Sequence, residues 1–207
     1  MTNKPAASYH DFVIKDGAFI GKFEDMYKQF DDPWMQSSQP NPYSRMACIQ
    51  TMQKFGIHSV VEWGCGLGYY ADAIHKHTGV IPKSLDISPS AIEKAKKLFP
   101  HLDFDVADIS QLAQYASYDA ILFAEITWYV LPELQKIFDE MLRHMQGKYF
   151  LHNLVFYKGT QRYGTEYFTN LASFIEYVPF KLLGYCEATT EQDSTIETHT
   201  VFRIEPK

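Results

Sequence analysis

The amino-acid sequence predicts an α/β protein built on a doubly wound parallel sheet with helices on both faces. Three observations carry that expectation. Short apolar runs of strand length alternate with helix-patterned segments from residue 43 to about residue 156, and strands that alternate with helices pair in parallel. Within the first such unit, Val60-Val61-Glu62-Trp63-Gly64-Cys65-Gly66-Leu67-Gly68 runs from a strand end, through an acid, into a loop with glycine at every second position. The next apolar run ends on Asp86, 18 residues beyond Gly68, a spacing that suits a ribose-binding acid.

The elements follow in order. Residues 1–42 read as an irregular arm, and Gln36-Ser37-Ser38-Gln39-Pro40-Asn41-Pro42 is a turn-rich joint. A helix is expected from Tyr43 to about Phe55, with Met46, Ile49, Met52 and Phe55 at helical spacing. Strand one covers about Ser59 to Trp63. The helix after the loop, with Ala71, Ala73 and Ile74 as apolar positions, continues to about His77. Strand two ends at Asp86. Ser88 then has the chemistry of an N-cap and Pro89 that of a first helical residue, where a missing N–H costs nothing. Strand three is short, near Leu102 to Val106, and strand four is Ala120 to Ala124. A helix from about Pro132 to Met145 leads to strand five, Tyr149 to Phe156. Phe168 to Val178 reads as another helix, and Lys181 to Glu187 and His199 to Glu205 as a closing pair of strands. The expected organisation is an arm, 1–42, and one domain, 43–207.

Composition bounds the partners. A chain of 207 residues suits one domain with a full core. The net charge of −6 and the absence of a basic stripe argue against nucleic acid. Lys94, Lys96 and Lys97 suit the last turn of a helix, where cations complement the dipole. The odd, scattered Cys48, Cys65 and Cys186 argue against a disulfide framework and a zinc site. The N-terminus, with Asn3, Lys4 and Pro5, lacks a hydrophobic signal region. The most apolar stretch, Ala120 to Leu131, contains Glu125 and is too short to span a bilayer. The expected setting is therefore the cytoplasm, without a membrane partner. The aromatic content of 15% is high, and aromatics outside a core pattern often line pockets.

The loop chemistry selects a cofactor. A strand, a glycine-rich turn and a helix N-terminus form a nucleotide-type site. Glu62 beside that loop would repel a pyrophosphate and attract an ammonium or sulfonium at short range. S-adenosylmethionine, which has a cationic methionine end and no phosphate, satisfies that condition.

These residues resemble the class I S-adenosylmethionine-dependent methyltransferases. Glu62-x-Gly64-x-Gly66-x-Gly68 is similar to that family's first motif, and Ile81 to Asp86 to its second strand. Asp103-Phe104-Asp105-Val106-Ala107-Asp108-Ile109 resembles its third motif, and Tyr118 to Glu125 its fourth strand. The resemblance covers roughly residues 43–156 and extends more loosely beyond them. It implies a Rossmann-like, seven-stranded, mostly parallel sheet with the last strand antiparallel. It implies Asp86 on the ribose hydroxyls and Asp108 on the adenine amine, with Ile87 and Ile109 beside them. Gly64, Cys65 and Gly66 would approach the cofactor, with Glu62, Tyr70 and Glu125 around its methionine end. Arg45, just ahead of the first strand, would pair with the methionine carboxylate as a planar fork. Asp31-Asp32-Pro33-Trp34 resembles the arm of nodulation-type N-methyltransferases and their relatives acting on sugars, which puts Trp34 over the cofactor. Trp128-Tyr129-Val130-Leu131 resembles the same relatives.

Methyl transfer requires alignment and exclusion of water, because the cofactor supplies the activated group. The expected acceptor is a small polar molecule carrying nitrogen or oxygen, with a sugar or sugar nucleotide as the family-level expectation. A hydroxyl acceptor needs a base, for which His152 is the first candidate and Glu125 the second. Tyr69, Tyr70, Tyr129 and Tyr157 are candidates for an aromatic wall that favours a sulfonium, with core packing as the alternative. No metal ligand set is expected, although Glu125, His152 and Asn153 would be the donors of a metal-assisted variant. Two other classes stand beside this one. Gly66-Leu67-Gly68-Tyr69-Tyr70-Ala71 fits the nicotinamide fingerprint, which would make the chain an oxidoreductase. A non-catalytic binding module is the other. The sequence leaves the oligomeric state open.

Overall fold

The computed structural model describes residues 8–15, 18–39 and 42–207. The Asn3-Lys4-Pro5 stretch and the Pro40-Asn41 part of the joint lie outside them. The main sheet has seven strands: β1 Val60–Trp63, β2 Lys83–Asp86, β3 Asp103–Val106, β4 Ala120–Ala124, β5 Tyr149–Tyr157, β6 Phe180–Ala188 and β7 Thr195–Pro206. Their order is β3-β2-β1-β4-β5-β7-β6. β1 pairs in parallel with both β2 and β4, and the outer pairs β2–β3 and β4–β5 are parallel as well. Only β7 runs against its neighbours, antiparallel to β5 and to β6. It begins four residues ahead of the expected His199, because Thr195 to Thr198 stay in register with Tyr157 to Leu154. Polar residues can extend a strand when a neighbour supplies hydrogen bonds, and apolar patterning alone misses that extension.

Two helical layers cover the sheet. Helices α3 (Tyr43–Phe55) and α4 (Tyr69–Thr78) bury Ile49, Met52 and Ile74 against Val60, Leu122 and Leu151. Helices α6 (Leu134–His144) and α7 (Leu171–Tyr177) cover the other face, which presents Val61, Ile121, Phe150 and Phe202. In α6 the residues Leu134, Ile137, Phe138 and Met141 are all buried, at spacings of one helical stripe. Each such burial contributes about 1.5–3 kcal/mol, so packing holds this short helix more than propensity does. Pro132 lies in a separate 3-10 turn, Leu131–Glu133, so the α-helix starts two residues later than the sequence suggests. Helix α5 (Pro89–Leu98) starts at Ser88, whose hydroxyl accepts the Ala91 N–H at 3.1 Å with Pro89 next in line. Among the described residues, no helix is long and apolar enough to cross a membrane.

The arm is more ordered than an irregular segment. It holds α1 (His10–Val13), a two-residue antiparallel ladder of Ile14–Lys15 with Ala18–Phe19, α2 (Phe23–Gln29) and a 3-10 turn at Gln36–Ser38. Val13, Met26 and Tyr27 are buried in one cluster with Leu67 of the glycine loop and Ala91 of α5. These elements are too short to show a period in the sequence, and their packing partners lie more than 30 residues away.

One carboxylate docks the arm. Glu24 Oε2 accepts the Ser88 hydroxyl at 2.6 Å and the Ser90 N–H at 3.0 Å, and Oε1 accepts the Ser90 hydroxyl at 2.8 Å. Lys28 lies 3.2 Å from the same carboxylate. Glu24 thus sits at the positive end of α5, where an anion is favoured. Lys94 Nζ adds a hydrogen bond to the Phe30 carbonyl at 2.7 Å. The Ser88 hydroxyl, with the Ser90 donors and Lys28, holds Glu24 down to about 2 from its ordinary 4.5, against the opposing effect of burial.

A depressed carboxylate stabilises the docked arm fully above the ordinary value and loses that contribution as pH falls toward the depressed one. The Glu24 contact should therefore be complete above about pH 5 and fade toward pH 2. At neutral pH, Glu24→Gln should speed limited proteolysis within residues 30–42 while circular dichroism of the sheet is unchanged. An unchanged cleavage rate would show that the apolar contacts alone hold the arm.

Candidate functional site

A cavity of about 630 Å³ opens at the carboxyl ends of the strands, beneath the arm. Gly64 after β1, Asp86 at the end of β2 with Ile87 after it, Ala107 to Ile109 after β3, and Glu125 and Ile126 after β4 line its floor. Tyr9, Phe23, Tyr27, Trp34 and Gln36 form its roof, and Arg45 enters from α3. The position is the reversal of strand order between β1 and β4, where open α/β sheets leave a crevice.

The glycine loop is shaped by its neighbours as much as by any ligand. Gly64 has φ of 76°, and a Cβ there would fall 2.1 Å from Ile126 Cγ2. Gly66 has φ of 56°, and a Cβ there would fall 2.6 Å from the Tyr27 hydroxyl and 2.7 Å from Gln36 Oε1. The arm thus seats directly on Gly66. Gln36 Oε1 accepts the Leu67 N–H at 2.8 Å, while its Nε2 donates to the Cys65 carbonyl at 3.4 Å. Asp32 fixes that turn by accepting the Gln36 and Ser37 N–H groups at 2.8 and 2.9 Å. Tyr27 and Gln36 line the cavity, a placement that the sequence did not reveal. The one local signal was Asp32, a side chain that commonly caps such a turn.

Asp86 is 7% exposed and lines the cavity. Its oxygens accept the Gly66 and Ser88 N–H groups, each at 2.9 Å. Burial pushes this carboxyl up, and the Ser88, Gly66 and Ile87 N–H groups oppose that push. Ile87, 53% exposed, and the half-buried Ile109 both line the cavity. Asp108 caps the 3-10 helix Ile109–Tyr115, accepting the Ser110 N–H at 2.9 Å in a reciprocal capping box with Gln111. Those Ser110 contacts lower its carboxyl, which also lines the cavity.

At the deep end the charge of one cation, Arg45, acts on two acids, Glu62 and Glu125. Glu62 is 1% exposed and accepts the Ser84 hydroxyl at 2.9 Å. Burial pushes it up to about 7, opposed by Ser84 and by the Arg45 charge. Arg45 stands over the Tyr70 ring at 5.1 Å, and its buried Nε has no hydrogen-bond partner among the described residues. The first turn of α3 is anchored from the sheet. The Ser44 N–H and hydroxyl donate to Glu197 at 2.9 and 3.0 Å, and Asn153 Nδ2 donates to the Ser44 carbonyl at 2.7 Å. Glu125 has φ of 64°, a left-handed conformation rare for such a residue and of the kind that collects at functional sites. Burial pushes its carboxyl up, with Arg45 opposing and Glu197 adding to the rise. Half-buried Tyr129 faces the cavity beside Phe23 at 5.1 Å, Phe19 at 5.5 Å and Trp34 at 6.0 Å.

Several expected site residues lie elsewhere. His152 is not at the mouth. It pairs with Phe123, one level below Glu125, and β5 continues to Tyr157. It is 1% exposed, stacked on Phe174 at 4.2 Å, with Nε2 2.7 Å from the Thr127 hydroxyl. Tyr70 is 1% exposed and turned into the core, where its hydroxyl donates to Asn153 Oδ1 at 3.1 Å. The Cys65 thiol is buried in the α4–α5 cluster. Glu62, Cys65 and Gly66 lie behind the cavity wall, since the alternation of β1 turns Glu62 toward α3 and the arm covers Gly66. Tyr69 packs on Phe99, and Tyr157 lies under Arg162 at 4.7 Å. The three donors of the metal-assisted variant do not converge. His152 faces α7, neighbouring Asn153 faces α3, and both ends of the Asn153 amide are engaged.

Residues 60–148 match the model of a family described as a methyltransferase domain. Nodulation protein S of Rhizobium tropici is 24% identical over 120 residues, 55% of this chain. The match spans about half the length of that relative, 50%. Among solved structures, the MccD protein superposes with a TM-score of 0.61 at 14% identity, over 81% of this chain and 100% of that one. N-methyltransferase NodS from Bradyrhizobium japonicum WM9 gives 0.57 at 16% identity, over 82% and 99%. These superpositions show a shared fold.

Burial, with a smaller effect of His199, holds His152 down to about 3, so it is uncharged across the neutral range. Below its ordinary 6.5 the unfolded chain takes up a proton that the fold refuses. Stability is therefore intact above pH 6.5 and falls by about 1.4 kcal/mol per pH unit from this group as pH drops toward 3. Urea titrations of His152→Gln should show that much less loss between pH 6 and pH 5 than the parent chain. An equal loss in both proteins would mean that His152 ionises freely in the fold.

Proposed function

We propose, for a chain that belongs to the class I S-adenosylmethionine-dependent methyltransferases, that it transfers the methyl group of S-adenosylmethionine to a nitrogen or oxygen of a small polar molecule held in the cavity. The observation that carries this reading is the charge order along the cavity. Asp86 ends β2 and Asp108 follows β3, and the half-buried Arg45, with a buried and unpartnered Nε, acts by its charge on Glu62 and Glu125. That donor set fits a ligand with a diol, an amine-bearing ring, a carboxylate and a cationic centre.

S-adenosylmethionine, when bound, supplies the activated methyl group. Asp86, already fixed by two N–H groups, has lone pairs left for the ribose hydroxyls. Ile87 and Ile109 provide flat apolar flanks for adenine, and Asp108 an acceptor for its amine. Arg45 holds the methionine carboxylate, while Glu62 supplies negative potential for the ammonium and sulfonium. Tyr129 and Trp34 offer ring faces to the same cation. The arm keeps water from the reacting atoms.

The nicotinamide reading fares worse on the same residues. A pyrophosphate would need the loop amides, and the Leu67 N–H is already taken by Gln36 and the Gly66 N–H by Asp86. Glu62 behind the loop repels it further.

Calorimetry should show saturable binding of S-adenosylmethionine and of S-adenosylhomocysteine, and none of NAD. Charge-assisted hydrogen bonds contribute about 1.5–3 kcal/mol, so Asp86→Ala should weaken S-adenosylhomocysteine roughly 10- to 100-fold. An unchanged dissociation constant in a folded variant would leave Asp86 as a partner of loop amides alone.

A further inference from the structure

The acceptor's charge can be read from what the cofactor leaves over, and the inference rests on the cofactor reading above. Five charged side chains line the cavity among the described residues: Asp86, Asp108, Glu125, Glu133 and the single cation Arg45. The cofactor engages Asp86, Asp108 and Arg45. What remains for the acceptor is Glu125 in the half-buried depth and Glu133 at the exposed rim, with the aromatic rings of Trp128 and Tyr129 between them in the chain. A phosphate or pyrophosphate placed there would face two carboxylates and no free guanidinium or ammonium. An organic cation would meet opposite charge at both ends and ring faces along the wall.

We infer that the methyl acceptor is an aliphatic amine that arrives as a cation, drawn in by Glu133 and held at the reacting position by Glu125, and that phosphorylated or nucleotide-linked acceptors are refused. The strained backbone of Glu125 supports the assignment, since its φ of 64° turns this side chain from the end of β4 into the cavity. The same residue answers the proton balance. The ammonium gives one proton to the Glu125 carboxylate, which exposes the nitrogen lone pair. That pair forms the new nitrogen–carbon bond as the carbon–sulfur bond breaks, and the bond electrons stay on sulfur as a neutral thioether. The methylated nitrogen carries the positive charge that the sulfonium brought, and the Glu125 proton leaves to solvent with the product. No metal or oxidant is needed. The sugar-nucleotide acceptor expected from the family resemblance does not suit this charge pattern, whereas an amino sugar does.

The test uses the whole chain saturated with S-adenosylhomocysteine and titrated by calorimetry with 1,4-diaminobutane, glucosamine and glucose 1-phosphate. At least one amine should bind saturably, with affinity that falls several-fold in about 0.5 M salt. Glu125→Gln should weaken it about tenfold or more. Glu133→Gln, a change at an exposed rim position, should raise KM for the amine while kcat stays within about twofold. Glucose 1-phosphate should not bind. Binding of glucose 1-phosphate, or absence of any amine binding to the loaded chain, would overturn the inference while leaving the cofactor reading intact. Failure to bind S-adenosylhomocysteine at all would overturn both.

Discussion

A guanidinium drawn partly out of water, with its Nε buried, must be compensated, and that requirement organises the deep end of this site. Arg45 stands where the charges of Glu62 and Glu125 both act on it, with the Tyr70 ring below. One buried acid, one half-buried acid and a half-buried cation are worth little as a stability device, because desolvation cancels much of the Coulomb attraction. They make sense as a receptor. One acid too many and an unpartnered Nε leave an arrangement ready for a ligand that brings both a carboxylate and a cation. Holding it needs a rigid frame, and the first turn of α3 has one. Glu197 from β7 and Asn153 from β5 fasten Ser44, the residue before Arg45.

The arm obeys a second constraint. Its residues join the domain through three polar fixtures: Glu24 at the start of α5, Gln36 on the glycine loop, and Lys94 on the Phe30 carbonyl. The first two satisfy donors of the domain at the start of α5 and on the glycine loop, and the third satisfies a carbonyl of the arm. The seat at Gly66 is so close that any side chain there would collide with Tyr27 or Gln36. Gly66 therefore serves closure of the cavity, while Gly64 lines it.

Much of this was legible in the chain itself. The apolar runs marked all seven strands, and the glycine loop with Asp86 marked the crevice, because both depend on local patterning. Ser88 and Pro89 announced the start of α5 for the same reason. Candidates judged by strand position fared less well. His152 was expected at the mouth of β5, but the Ala124–Asn153 register sets it one level too deep. Tyr70 was expected at the cofactor, but the helical turn that seats α4 on the sheet directs its ring into the core. Strand register and helix rotation are long-range properties, and neither leaves a mark on neighbouring residues.

The sequence alone determined the fold class, the order of the parallel strands' acids, and the cationic, phosphate-free character of the expected cofactor. These follow from periodicity and from charge placed next to a glycine loop. Tertiary structure decided which of the candidates share a cavity. It brought Tyr27, Trp34 and Gln36 of the arm over strand ends that lie 27 or more residues further along the chain. It turned Glu62 behind the wall and Glu125 into the opening. The physical reason is that a side chain's direction is set by pairing and packing across the whole sheet, whereas its chemistry is carried by the residue itself.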